Sequence, residues 1–264
     1  MNDAAAQRIA LALVSHTNVG KTTLARTLLG RDIGVVRDAP HVTDAAERFV
    51  LAQTGSGDTL ELWDTPGFGD SVRLARRMEG RGNPLGWFLA EVWDRFRDRA
   101  FWSSQQAVRA VLEHADVVLY LVNAAEPPQQ AAYIGPEMRV LELAGRPVLV
   151  LLNQMGPPAP APEEAAQVEK WRRHMAAAAP VRAVLPLDAF ARCWVQEFAL
   201  LDAVREALPP ARVEPFDRLA AAWRAAACGR CTNAARCSGL RGASAASSAQ
   251  LPAWPPGGCG RYPP

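Results

Sequence analysis

The sequence predicts an α/β fold in which buried strands alternate with helices, and three observations carry that reading. Near the start, the apolar run Ile9–Val14 passes through a short loop into a helical pattern over Leu24–Leu29, giving strand, loop, helix. Two later apolar runs, Val117–Val122 and Val148–Leu152, are too short to span a bilayer and read as strands buried on both faces. Helical patterns over Tyr133–Leu143 and Glu163–Ala178 follow them in turn. With 264 residues and an apolar fraction of 49%, the chain can bury a large core, as one domain or as a domain with an appendage.

The first loop, Ser15–Thr23, reads S-H-T-N-V-G-K-T-T and approaches the phosphate-binding P-loop pattern G-x-x-x-x-G-K-[ST]. Such a loop wraps phosphates in backbone N–H groups at a helix N-terminus, while its lysine reaches the outer phosphates. Asn18, Val19, Gly20, Lys21, Thr22 and Thr23 are therefore candidate nucleotide-binding residues, and the Thr22 hydroxyl is a candidate Mg²⁺ ligand. Lysine occurs only at Lys21 and Lys170 among 29 basic residues, so a chain that otherwise uses arginine keeps the compact ammonium here. Ser15 replaces the first glycine of the pattern and tolerates a positive φ less well.

Arg31–Arg48 is polar, carries Gly34, Pro40 and His41, and shows no period, which marks a functional loop. Thr43 within it is a candidate to present a hydroxyl to Mg²⁺. Phe49–Gln53 and Thr59–Trp63 flank Gly55-Ser56-Gly57-Asp58 and predict a β-hairpin. Its second strand runs directly into Asp64-Thr65-Pro66-Gly67. An acid at a strand's C-terminal end suits a water-mediated Mg²⁺ contact, and the Gly67 N–H suits a γ-phosphate.

About 45 residues then separate Asp70 from Ala115. They predict helices over Ser71–Met78 and Leu85–Ala100, then Ser103-Ser104 as the N-cap of a helix over Gln105–His114. Trp87, Phe88, Val92, Trp93 and Phe96 fall on one side at helical spacing. Two readings stand for this stretch. It packs its aromatics on the sheet, or, as an insertion over about 71–114, it reports nucleotide state to a protein partner. Arg73, Arg76, Arg77 and Arg81 read as a solvated face rather than a nucleic-acid patch.

Val117–Asn123 is a central strand, and the helix Tyr133–Leu143 ends at Gly145 with Pro147 beyond. Val148–Leu152 delivers Asn153-Gln154-Met155-Gly156 to the edge of the site. Pro157–Pro162 is a linker, Glu163–Ala178 a surface helix and Val181–Leu187 the last strand. Asp188 is either the N-cap of a helix over Ala189–Leu208 or part of the site, and both roles are compatible. A helix over 209–227 precedes a tail, 228–264, without Asp, Glu, Lys, Val, Ile, Met or Phe. Cys228, Cys231, Cys237 and Cys259 in that tail are spaced too loosely for a convincing zinc site, and the composition predicts disorder. A GC-rich gene read out of frame yields the same vocabulary.

A net charge of +2 predicts no general affinity for nucleic acid or acidic membranes. The body has no cysteine framework and no secretory signal, which places the chain in the cytoplasm.

Asn18 in x-N-x-G-K-[ST], together with Thr43 and D-T-P-G, resembles the Era/TrmE-type branch of the P-loop GTPases, of the TRAFAC class. The segments G-K-T-T-L, W-S-S-Q-Q, D-V-V-L-Y-L-V-N-A, N-Q-x-G and L-D-A-F-A-R-C-W resemble a bacterial subgroup of Era-like GTPases that carry an uncharacterised domain after the GTPase unit. The resemblance covers about residues 8–208 and implies a three-layer, small-GTPase-like P-loop fold, its sheet mostly parallel with one antiparallel strand. It also implies Mg²⁺-dependent binding of GTP and GDP and slow hydrolysis. Lys21, Thr43 and Gly67 become the catalytic set, with Thr43 the first-switch threonine and Asp64 and Gly67 the second-switch pair. Phe68 stands where other GTPases place a water-orienting Gln, and the resemblance implies a K⁺ ion near Asn18 as compensation. Asn153 and Gln154 would brace and cover the base, and the Asp188–Ala189 backbone would meet the guanine O6. Gly156 lacks the carboxylate that GTPases use to read guanine, which leaves base specificity open. The subgroup's further domain should begin near Pro215, so a truncated or frameshifted member is expected. The readings are thus a slow GTPase switch, a nucleotide-binding regulatory module with negligible turnover and relaxed choice of ATP or GTP, and a disfavoured P-loop ATPase.

Overall fold

Every residue of strand β1, Arg8–Ser15, after the first is buried, as a strand covered by helices on both faces must be. The computed structural model describes residues 6–29, 46–91, 96–157, 159–187, 189 and 194–230. Beside β1 lie β2 (Glu47–Gln53), β3 (Thr59–Asp64), β4 (Val117–Asn123), β5 (Val148–Asn153) and β6 (Val181–Pro186). They form one six-stranded sheet in the order β2-β3-β1-β4-β5-β6. All neighbours run parallel except β2 and β3, whose antiparallel register shifts between Val50 and Ala52. The expected hairpin turns at Gly57, φ +90°, a conformation that favours glycine.

Successive side chains along β1 face opposite ways, and each alternate set enters its own core. Ile9, Leu11 and Leu13 pack with helix α1 (Lys21–Leu29), α7 (Trp194–Ala207) and α8 (Pro210–Arg230). Ala12 and Val14 pack with α2 (Ser71–Met78), α3 (Pro84–Ala90), α4 (Arg99–His114), α5 (Ile134–Ala144) and α6 (Ala161–Met175). The result is a three-layer α/β sandwich. Among the described residues no helix is long and apolar enough to cross a membrane.

Helix α8 belongs to this sandwich. Phe216, Leu219 and Trp223 complete the first core, and its arginines reach the strand starts below the sheet. Arg212 donates to the Asp116 carboxylate at 2.6 Å and to the Arg8 carbonyl at 2.9 Å. Arg218 donates to Asp58 at 2.9 Å, and Asp58 also accepts the Gln7 N–H at 2.8 Å. That N–H, then Arg218, holds the Asp58 carboxyl below its ordinary range. The expected tail lies outside the described residues from 231 onward.

The insertion departs from expectation. Leu85–Ala100 is not one helix: α3 ends at Ala90, Glu91 is extended, and α4 begins at Arg99. The break is held by side chains from α4. The buried Gln105 amide donates to the Phe88 and Glu91 carbonyls at 2.7 and 2.8 Å, and Arg109 donates to Leu89 O at 2.9 Å. These are orphan carbonyls of a helix end, satisfied from a neighbouring helix. Consequently the aromatics do not share one face: Phe88 is fully buried while Phe96 is 88% exposed. Ser103 and Ser104 do not cap a helix either, because α4 runs through them from Asp98, whose carboxylate is bound by Arg73 at 2.7 and 2.9 Å.

Candidate nucleotide-binding site

The P-loop leaves β1 at Ser15, and its left-handed residues are Asn18, φ 64°, and Gly20, φ 95°. Asparagine tolerates that region better than most residues. Ser15 needs no positive φ, so its replacement of glycine carries no backbone penalty; its fully buried hydroxyl donates to the His16 carbonyl at 2.5 Å. The ladder of α1 includes Leu24 N–H to Gly20 O at 3.0 Å, and the N–H groups of the helix's first turn have no partner within it.

Asn153, fully buried at the end of β5, binds two loops together. Its Nδ2 donates to the Val19 carbonyl at 2.9 Å, and its Oδ1 accepts the Ala189 N–H at 2.9 Å. A Cβ at Gly20 would meet Asn153 Nδ2 at 3.0 Å, so the loop is pressed on this brace. Thr27 of α1 donates to the Ala189 carbonyl and to Thr23 O. The Ala189 N–H, expected against a base, is thus engaged by Asn153.

Burial pushes the Lys21 ammonium down, opposed by the charges of Asp64 and then Glu137. Thr22 Oγ1 donates to Asp64 Oδ2 at 2.8 Å. Asp64 Oδ1 is buried without a hydrogen-bond partner among the described residues, and burial pushes this carboxyl up against the pull of Lys21 and Thr22. A buried carboxylate oxygen with no donor beside a hydroxyl suits a hydrated divalent cation. The residues therefore fit Mg²⁺.

Thr65 anchors the segment after Asp64 by donating its hydroxyl to Leu13 O at 2.9 Å. Gly67 lies against the P-loop, since a Cβ there would stand 3.2 Å from Thr17 Cα. Its N–H has no hydrogen bond among the described residues. Phe68 is fully buried in the second core, and its N–H donates to the Ser15 carbonyl at 2.8 Å. Gln154 has φ 57° and Gly156 φ 93°. Nothing lies within 4 Å of a Cβ at Gly156, so an aspartate there would have room but a strained backbone. Thr43 and Asp188 lie outside the described residues.

Sequence reasoning missed several neighbours of this loop. Glu137 of α5 is fully buried beneath it, with Oε1 2.7 Å from His16 Nδ1 and Oε2 accepting the Tyr120 hydroxyl at 2.5 Å. His16 also stacks on Tyr133 at 4.4 Å. A glutamate in the first turn of an amphipathic helix looks like an ordinary solvated residue, so no pattern announced it. Ser103 and Ser104 also belong here: Ser103 Oγ donates to Gly67 O at 2.6 Å, and Ser104 Oγ accepts the Gly69 N–H at 3.1 Å.

Parallel sheet, phosphate loop and paired Thr22–Asp64 define a P-loop nucleotide-binding domain. The 50S ribosome-binding GTPase family model matches residues 10–154, over half of the chain, and the chain belongs to that family as an Era-like P-loop GTPase of the TRAFAC class. It is 27% identical to GTPase Der of Paenarthrobacter aurescens over 214 residues, 79% of this chain and 37% of that protein. It is 28% identical to GTPase Era of Carboxydothermus hydrogenoformans over 149 residues, 55% of this chain and 39% of that one. The chain thus spans well under half the length of these curated relatives. Its fold is similar to that of Era in complex with MgGDPNP and nucleotides 1506–1542 of 16S ribosomal RNA, with TM-score 0.55, 18% identity, and coverage of 78% of this chain and 58% of that one. An Aquifex aeolicus Era variant bound to GDP and aluminium fluoride is similar at the same TM-score of 0.55, with 18% identity over 77% of this chain and 57% of that one.

Proposed function

We propose that this chain is a Mg²⁺-dependent GTP-binding switch that hydrolyses GTP slowly to GDP and phosphate. The observation that carries the reading is the buried Asp64 carboxylate, bound by Thr22 on one oxygen and without a partner among the described residues on the other, beside the half-buried Lys21. The P-loop N–H groups and Lys21 would hold the β- and γ-phosphates, and the Gly67 N–H would meet the γ-phosphate. Thr22 and Asp64, with Thr43 from the first switch, would hold Mg²⁺, which supplies positive charge to those phosphates.

In hydrolysis, water attacks the γ-phosphorus and the bond to the bridging oxygen breaks, releasing GDP. Phe68 is apolar and buried, so it cannot orient that water. Turnover is accordingly slow and depends on added positive charge. We assign that role to K⁺ near Asn18, which lies exposed on the loop. The cytoplasm, where Mg·GTP and K⁺ are at hand, is the compartment this reading requires. A protein partner would dock on the 71–114 insertion.

A second reading, a regulatory module of relaxed base specificity, is favoured by Gly156 and by the engaged Ala189 N–H. Equilibrium binding of fluorescent GTP, GDP and ATP analogues with Mg²⁺, in K⁺ and in Na⁺, separates the two. Guanine nucleotides should bind at micromolar concentration, and Lys21→Ala should abolish binding. Equal ATP binding would favour the second reading, and no binding of either would defeat both.

A further inference from the structure

Gly67 and Phe68 share one peptide plane, and both of its polar ends are held. The carbonyl accepts the Ser103 hydroxyl at 2.6 Å, while the N–H on the other side donates to the Ser15 carbonyl at 2.8 Å. The next amide, Gly69 N–H, is taken by Ser104 Oγ at 3.1 Å, and that hydroxyl in turn donates to Ala100 O at 2.8 Å. A Cβ at Gly69 would lie 2.5 Å from Ala100 Cα, so this segment is seated flush on the first turns of α4. The Phe68 ring, in the same core as Phe88 and Phe101, pins it from beneath. Amid these restraints the Gly67 N–H has no acceptor among the described residues.

We propose that Ser103 and Ser104 are positioning residues for the γ-phosphate contact, holding the Gly67–Gly69 backbone so that the Gly67 N–H is aimed at a triphosphate before one binds. The inference rests on the GTP reading above and goes beyond it, because it gives α4 a share in orienting the second switch, beside Thr65, whose Oγ1 lies 3.2 Å from the Pro66 carbonyl it donates to. Fixing the 67–68 peptide removes rotations that would turn the neighbouring N–H away, so less ordering is needed on binding. GDP has no γ-phosphate and gains nothing from the arrangement. The hydroxyls therefore discriminate between the two nucleotide states without touching either.

The test titrates fluorescent GDP and a non-hydrolysable GTP analogue, with Mg²⁺, against the full chain and its Ser103→Ala, Ser104→Ala and Ser103→Thr forms. Each alanine form should bind the triphosphate analogue about fivefold more weakly, the scale of one neutral hydrogen bond, with GDP affinity unchanged. Ser103→Thr keeps the hydroxyl and should restore the wild-type ratio, which a loss of packing alone would not predict. Equal weakening of both nucleotides, or of neither, overturns the positioning role while leaving the GTP reading intact. Failure of the unmodified chain to bind either nucleotide overturns both.

Discussion

Asp64 displays the conflict between stability and function at a single side chain. Among the described residues its buried carboxylate has one donor, Thr22, and one oxygen with none. A buried charge left partly unpaired costs stability, so a neutral isostere relieves that cost. Asp64→Asn should raise the melting temperature of the nucleotide-free protein by about 2–4 °C, the shift expected from about 1 kcal/mol in a domain of this size. The same change should weaken Mg²⁺-dependent nucleotide binding by about tenfold or more. Melting curves with and without Mg·GTP read both effects, and a simultaneous loss of apo stability would contradict the argument. Asn153 is the opposite kind of residue, satisfied at both ends of its amide and joining the loops that carry Val19 and Ala189. The sequence singled it out through the resemblance of N-Q-x-G to the family's base-reading motif, since Asn123 also ends a buried strand and makes only a local turn contact. Glu137 was not legible, since its partners His16 and Tyr120 stand 121 and 17 positions away.

At the scale of elements, the insertion is organised by α4. Gln105 satisfies the end of α3, Arg73 of α2 binds Asp98 ahead of α4, and the two serines hold the Gly67–Gly69 backbone. A Gln105→Ala change leaves buried carbonyls at the end of α3 without donors, at about 1–3 kcal/mol for each unsatisfied group. α3 should detach locally before the sheet unfolds, so limited proteolysis should cut within residues 84–91 in the variant and spare the parent. The break between α3 and α4 was hidden from the sequence for a physical reason. Aromatic spacing marks a face that could pack as a helix, but the end of α3 is decided by donors that arrive from seventeen residues further on. By contrast α2 was placed correctly over Ser71–Met78, because Asp70 caps it locally by accepting the Arg73 N–H at 2.9 Å.

For the molecule as a whole, the sheet was readable and its closure was not. The runs that became β1, β4 and β5 are apolar on both faces, a pattern few other structures need. The role of α8 depends on Arg212 and Arg218 meeting Asp116 and Asp58, pairs 96 and 160 positions apart. These contacts carry a pH dependence. The Asp58 carboxyl is lowered in the fold below its ordinary value of 3.8, so its stabilisation is complete above that value and drains away as pH falls through the lower, folded one. Asp58→Asn should therefore be less stable than the parent at pH 6, and the gap should close as acid is added below about pH 4. Denaturant titrations at a series of pH values measure that convergence, and a gap independent of pH would refute it.

The peptide between Gly67 and Phe68 also ties α4 to the end of β1. Its carbonyl and N–H are ends of one rigid plane, so turning that plane disturbs both bonds. Rotation that frees the carbonyl from Ser103 withdraws the N–H from Ser15 in the same motion. On the switch reading proposed above, turning this peptide toward a bound phosphate would loosen its hold on α4 and on β1 together.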